Sequence, residues 1–127
     1  MILPMITGAH FLLYSPDAEA DRVFFRDVLR FPSVDAGHGW LIFGLPAAEL
    51  AVHPAEGETT AGQPLETGFY LMCDDLPELL RTLDAQGVPH GEVSQAPWGA
   101  RTTVRLPSGG EVGLYQPSHP TALGLAR

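Results

Sequence analysis

Residues 10 to 17 read HFLLYSPD and residues 68 to 75 read GFYLMCDD. Each is an apolar run with the length of a buried strand, closed by an acidic turn and followed by an amphipathic helical stretch. The chain therefore nearly repeats itself, and that internal repeat governs the rest of the reading. The first helix is expected to start near Asp17, with Val23, Phe24, Val28 and Leu29 on its buried side. The second is expected to start near Asp75, with Leu76, Leu79, Leu80 and Leu83 inward. Asp17 and Asp75 are the expected N-caps, because a carboxylate accepts from the free backbone N–H groups of a first turn. Gly87 fits the position after a helix end, and Phe31-Pro32 blocks continuation of the first helix.

Three short strand candidates separated by Gly and Pro follow each helix. In the first half they are Ser33 to Ala36, Gly39 to Gly44 and Glu49 to Pro54; in the second, Glu92 to Gln95, Arg101 to Leu106 and Val112 to Gln116. Pro107-Ser108-Gly109-Gly110 reads as a tight turn. The segment between the halves is polar and rich in Gly, Thr and Glu, which marks a surface linker. The expectation is one domain over 1–127: a first unit over about 5–54, a linker over 55–64 and a second unit over about 65–117. The tail from Ser118 has no clear periodicity, and a loose tail and one that crosses to a partner subunit both stay open.

A chain of 127 residues with 45% apolar content suits a single globular domain. The opening Met1 to Ile6 is too short for a membrane span and lacks the basic flank of a secretion signal, so a cytoplasmic location is expected. Fifteen acidic residues against seven basic ones give a net charge of -8, which repels phosphate backbones and anionic lipid, so neither nucleic acid nor membrane is an expected partner. The lone Cys73 excludes an internal disulfide and any multi-thiolate metal site, and its apolar surroundings mark a buried, inert thiol.

With its H-x6-D opening at His10 to Asp17, its CDDL helix entry at 73–76 and its closing LPSGGEVGLYQP at 106–117, the chain resembles the vicinal oxygen chelate family of glyoxalases, extradiol dioxygenases and bleomycin-resistance proteins. The likeness covers nearly the whole chain. It implies an α+β fold in which two βαβββ repeats form curved mixed sheets around a pocket, completed by homodimerisation. It also implies a divalent-metal site fed by four strands. Carried over position by position, His10 falls on the first ligand position and Glu49 on the second, with a one-residue slip allowed at Glu49. Gly68 and Gly113 occupy the third and fourth. Glycine has no side-chain donor, and such sites need about three or four protein ligands. His53 lies four residues past Glu49, about 13 Å along an extended strand, too far to share one ion with it. No cofactor is therefore expected; a metal, if held, would fall to His10 and Glu49.

Strand alternation then sorts the side chains. With His10 inward, Leu12 and Tyr14 are inward too; with Gly68 inward, so are Tyr70 and Met72, while Phe69, Leu71 and Cys73 pack beneath the second helix. Glu49, Ala51 and His53 share a face, as do Gly113 and Tyr115. Trp98, in the Pro97-Trp98-Gly99 loop, is a candidate entrance wall, and Arg101 beside it is a candidate partner for an anionic ligand. The expected ligand-contacting set is His10, Leu12, Glu49, Tyr70, Met72, Trp98, Arg101 and Tyr115, with a hydrogen bond between Glu49 and His10 and open space above the two glycines. Such a lining suits a flat organic ligand better than a chelated ion.

The leading functional expectation is a metal-free, homodimeric protein of the bleomycin-resistance kind that binds a planar or aromatic small molecule. The alternatives are a metal-dependent lyase or dioxygenase using His10 and Glu49, and a non-catalytic regulatory or structural subunit.

Overall fold

A computed structural model describes residues 9–54, 62 and 64–125. Met1 to Ile6 and most of the expected linker lie outside that set.

Both helices begin where the acidic turns predict. In α1 (Ala18–Asp27) the Asp17 carboxylate accepts from the Ala20 N–H at 3.2 Å, and in α2 (Leu76–Ala85) the Asp75 carboxylate accepts from the Glu78 N–H at 3.0 Å. Gln116 adds a cap from a distant strand, its Oε1 accepting from the Leu76 N–H at 2.7 Å. Past α2, Gly87 takes φ +72°, the left-handed turn that suits glycine after a helix. The first helix stops at Asp27, earlier than Pro32 alone requires, and Arg30 turns the chain at φ 60°.

Among the described residues, six strands form two sheets. β1 (Ser33–Asp35) and β2 (Leu41–Phe43) form an antiparallel hairpin with Val34 opposite Ile42. β3 (Tyr70–Met72), β4 (Ser94–Ala96), β5 (Gly99–Arg105) and β6 (Glu111–Pro117) form a mixed sheet in the order β3-β6-β5-β4, with β3 parallel to β6 and the other pairs antiparallel. The fold is thus α+β with curved sheets, as expected.

One face of the four-stranded sheet carries Val104, Val112 and Leu114, which are buried in one cluster with Leu76, Leu80 and Leu83 of α2 and with Phe24 and Phe25 of α1. Removing such side chains from water contributes about 1.5–3 kcal/mol each. Leu71 and Cys73 pack against this cluster, as alternation requires. Burial pushes the Cys73 thiol above its ordinary pKa, and nearby Asp74 adds to the shift, which favours the unreactive protonated form. Asp21 is also buried, and three donors compensate its carboxylate: Ser15 Oγ at 2.7 Å, Ser108 N–H at 3.0 Å and Ser108 Oγ at 2.8 Å. Those bonds fasten α1 to the turn between β5 and β6.

Two expectations fail locally. On α1 it is Phe25 that turns inward, meeting Phe31 at 6.0 Å and Phe43 at 5.8 Å, whereas Val23 is exposed. Phe25 wins because the β1–β2 hairpin supplies aromatic partners on that side of the helix. The runs at 10–14 and 49–54 lie outside every named strand. Their apolar side chains are exposed, with Leu12 at 64%, Tyr14 at 91%, Leu50 at 89% and Val52 at 86%. Neither run has a paired strand neighbour among the described residues, although Phe11 meets the Phe69 ring at 5.7 Å.

Candidate functional site

The face of the four-stranded sheet turned away from the helices carries the aromatic residues. Register fixes the set: Tyr70 lies beside Gly113, Met72 beside Tyr115, Tyr115 beside Arg101, Arg101 beside Ser94, and Gly113 beside Thr103. Side chains directly across a ladder share a face, so Tyr70, Met72, Tyr115, Arg101, Thr103 and Ser94 project together.

Gly113 decides the shape of this surface. A Cβ built on Gly113 would overlap the ring of Tyr70, and one on Gly68 would come within 3.4 Å of the same ring. Tyr70 therefore lies across Gly113, as an aromatic side chain covers a cross-strand glycine, and only borders Gly68. The open space expected above the two glycines is filled by Tyr70 at Gly113, whereas a Cβ at Gly68 would make only ordinary contact with the ring.

A second glycine sets the loop. Gly99 has φ +151°, and a Cβ there would sit 2.7 Å from Tyr115 Cε1 and collide with the Gln116 carbonyl, so only glycine lets the chain tuck this tightly under β6. The preceding Trp98 meets Tyr115 edge-on at 5.3 Å, and Tyr70 meets Tyr115 edge-on at 6.2 Å. The Tyr115 hydroxyl donates to the Trp98 carbonyl at 2.9 Å, which also accepts from the Ser118 N–H at 2.9 Å; Ser118 Oγ donates to the Pro97 carbonyl at 2.9 Å. The loop is thus pinned from below while its indole stays 41% exposed, and Tyr70 keeps 44%. Burial raises the pKa of the Tyr115 phenol, and the Glu49 carboxylate adds to the rise, so it remains a neutral donor.

Arg101 joins the two exposed rings. Its guanidinium lies 5.3 Å from the centre of the Trp98 ring, within cation–π range, and donates to the Tyr70 hydroxyl at 3.2 Å. An open hollow of about 340 Å3 runs beside it, lined by Tyr70, Gly91, Glu92, Ser94, Arg101, Thr102 and Thr103. A larger surface hollow of about 470 Å3, at Asp17, Glu19, Ala20, Val23 and Pro107, shares no residue with the aromatic cluster.

The structure separates the rest of the expected set. Glu49 does not pair with His10. Its Oε1 accepts from the Ala122 N–H at 2.8 Å, and its Oε2 lies 3.9 Å from His119 Nε2. The tail from Ser118 thus docks on its own chain. His119, whose ring is 5.8 Å from Tyr115, extends the aromatic row; the lack of periodicity in the tail hid it from sequence reading. His10 and Leu12 are exposed and outside any strand, and Trp40 stands apart with Arg22 over its ring at 4.5 Å. Ser94, Glu92 and Thr103 also line the hollow without having been expected there. They became visible only once β4 and β5 were in register.

The donor set does not fit the metal implied by the resemblance. Of the four positions, Gly68 and Gly113 have no donor and Gly113 lies beneath the Tyr70 ring, while Glu49 is engaged by the Ala122 backbone. Among the described residues no group of three or more His, Cys, Asp or Glu side chains is placed to hold an ion. No described helix is long and apolar enough to cross a membrane.

No family model matches the chain, and no curated protein matches it. Solved structures do. TnmS3, an antibiotic binding protein from Streptomyces sp. CB03234, is similar at 23% identity over 92% of this chain and 100% of that one, with a TM-score of 0.63. A lactoylglutathione lyase from Agrobacterium tumefaciens is similar at 21% identity over 90% of this chain and 96% of that one, with a TM-score of 0.61. A member of the glyoxalase/bleomycin resistance protein/dioxygenase superfamily from Sphaerobacter thermophilus DSM 20745 follows at 24% identity over 88% of this chain and 98% of that one, with a TM-score of 0.57. The chain has the fold of the glyoxalase, bleomycin-resistance and dioxygenase proteins, the vicinal oxygen chelate fold to which its sequence pattern pointed.

Proposed function

We propose that this protein binds planar aromatic small molecules on the Tyr70, Trp98 and Tyr115 face, without a metal and as a homodimer. The carrying observation is the partly exposed ring pair, Tyr70 and Trp98, bridged by the Arg101 guanidinium and backed by Tyr115. A flat ring laid on this surface meets two aromatic partners, each contributing about 0.5–1.5 kcal/mol beyond area burial. The fold alone does not choose between binding and catalysis, since an antibiotic binding protein and a lyase both share it. The site favours binding: the glycines at two ligand positions remove the donors a catalytic metal needs. Elemental analysis of protein purified without chelator is expected to find no stoichiometric divalent metal, and close to one tightly held ion per chain would overturn this reading.

Pairing of two copies supplies what the single chain leaves bare. The exposed apolar runs at 10–14 and 49–54 flank the first helix and hairpin, and a second subunit offers them a surface to bury against.

A further inference from the structure

The geometry points to an anionic substituent on the aromatic ligand, a carboxylate or ionised phenol, seated on Arg101 with the hydroxyls of Ser94 and Thr103. This rests on the aromatic-binding reading above and narrows it to a ligand class. The chain carries 15 acidic and 7 basic residues, so an arginine in it has abundant carboxylates to pair with. Two arginines do so: Arg26 binds Asp27 at 2.7 Å and Arg81 binds Glu78. Arg101 does not; among the described residues no carboxylate oxygen lies within 4.0 Å of it, although Glu92 lines the same hollow. Among the described residues its one hydrogen-bond partner is the Tyr70 hydroxyl. A guanidinium has five N–H donors in a planar fork, so most of them have no protein partner among the described residues, and Arg101 lines the hollow.

Register brings the other donors to the same place. Ser94 lies directly across from Arg101, and Thr103 is two residues along β5, on the same face. A carboxylate reaching this point meets a two-pronged guanidinium flanked by two hydroxyls, the arrangement that Arg supplies for planar anions. Tyr70 and Trp98 hold the ring to which that group is attached. A bare inorganic anion gains only half of the surface, and a neutral arene only the other half.

The test compares 2-naphthoate with its neutral isostere naphthalene-2-carboxamide by calorimetric titration of the full chain, wild type and Arg101→Gln. The naphthoate is expected to bind wild type at least about tenfold more tightly than the carboxamide, and Arg101→Gln to abolish that preference while still binding the carboxamide. Equal affinities in wild type, or a preference that survives Arg101→Gln, would overturn the anionic seat and leave aromatic binding standing. Displacement of naphthoate by equimolar inorganic phosphate would also overturn it, by showing a plain anion site. Binding of neither naphthalene compound would overturn both readings together.

Discussion

The Tyr70 ring lies across Gly113 of the neighbouring parallel strand, so closely that a Cβ at Gly113 would overlap it. This pairing turns a position where the resemblance places a metal ligand into the floor of an aromatic surface. It couples the two residues energetically. Gly113→Ala is expected to cost about 1–3 kcal/mol through overpacking, because the ring must swing out or the strands must shift. In a Tyr70→Ala background the same substitution is expected to cost clearly less. Urea denaturation of the four proteins measures the coupling, and additive effects would show that the ring does not rest on Gly113 in solution.

On the opposite face of the sheet, Thr102 is buried and its hydroxyl has no hydrogen-bond partner among the described residues. Thr102→Val keeps the branched shape and removes the unsatisfied group, with an expected gain of about 1 kcal/mol in unfolding free energy. A loss of stability would mean that the hydroxyl has a partner in solution.

His90 makes a pH-dependent contribution. Its Nδ1 lies 2.8 Å from the Gly91 carbonyl and its Nε2 2.9 Å from the Asp84 carboxylate, so both ring nitrogens face acceptors. The Gly91 carbonyl chiefly raises the pKa, Asp84 adds to it, and partial desolvation opposes them. A raised folded-state pKa stabilises the protein below the unfolded value of about 6.5, and that contribution fades as pH rises through the folded value. The His90 ring resonances are expected to titrate at higher pH in the folded than in the urea-unfolded chain, and Asp84→Asn to lower the folded midpoint. A folded midpoint at or below the unfolded one contradicts this.

Much of the frame was legible because it rests on local chemistry. Asp17 and Asp75 cap their helices through side chains a few residues from the groups they serve, and Gly87 ends α2 through its own φ. The choice of Phe25 over Val23 on α1 depends on Phe31 and Phe43, which pack there only once the hairpin has formed. Likewise, the spacing of Gly68, Tyr70, Gly113 and Tyr115 predicted a shared face. That Tyr70 would cover Gly113 depended on the parallel register of β3 with β6. Glu49 was read against His10, but Ala122 and His119 reach it from a tail whose sequence has no periodic signal.

The dimer is tested through the runs that find no strand partner. Light scattering at micromolar concentration is expected to report twice the 13.6 kDa chain mass. Leu50→Glu or Val52→Glu, at exposed positions where a single chain loses little by the change, is expected to shift the population toward monomer. A wild type that scatters only as a 13.6 kDa species contradicts the assembly.

The central claim is that the Tyr70, Trp98 and Tyr115 face takes a planar aromatic ligand without a metal. Calorimetric titration of chelator-treated protein with 2-naphthoate tests it most directly, run beside the Tyr70→Ala/Tyr115→Ala variant and with folding of both followed by circular dichroism. Saturable binding by the wild type, weakened by about 1–3 kcal/mol or lost in the folded double variant, is the expected result. Equal binding by the double variant, or binding by wild type only after a divalent metal is restored, would contradict it.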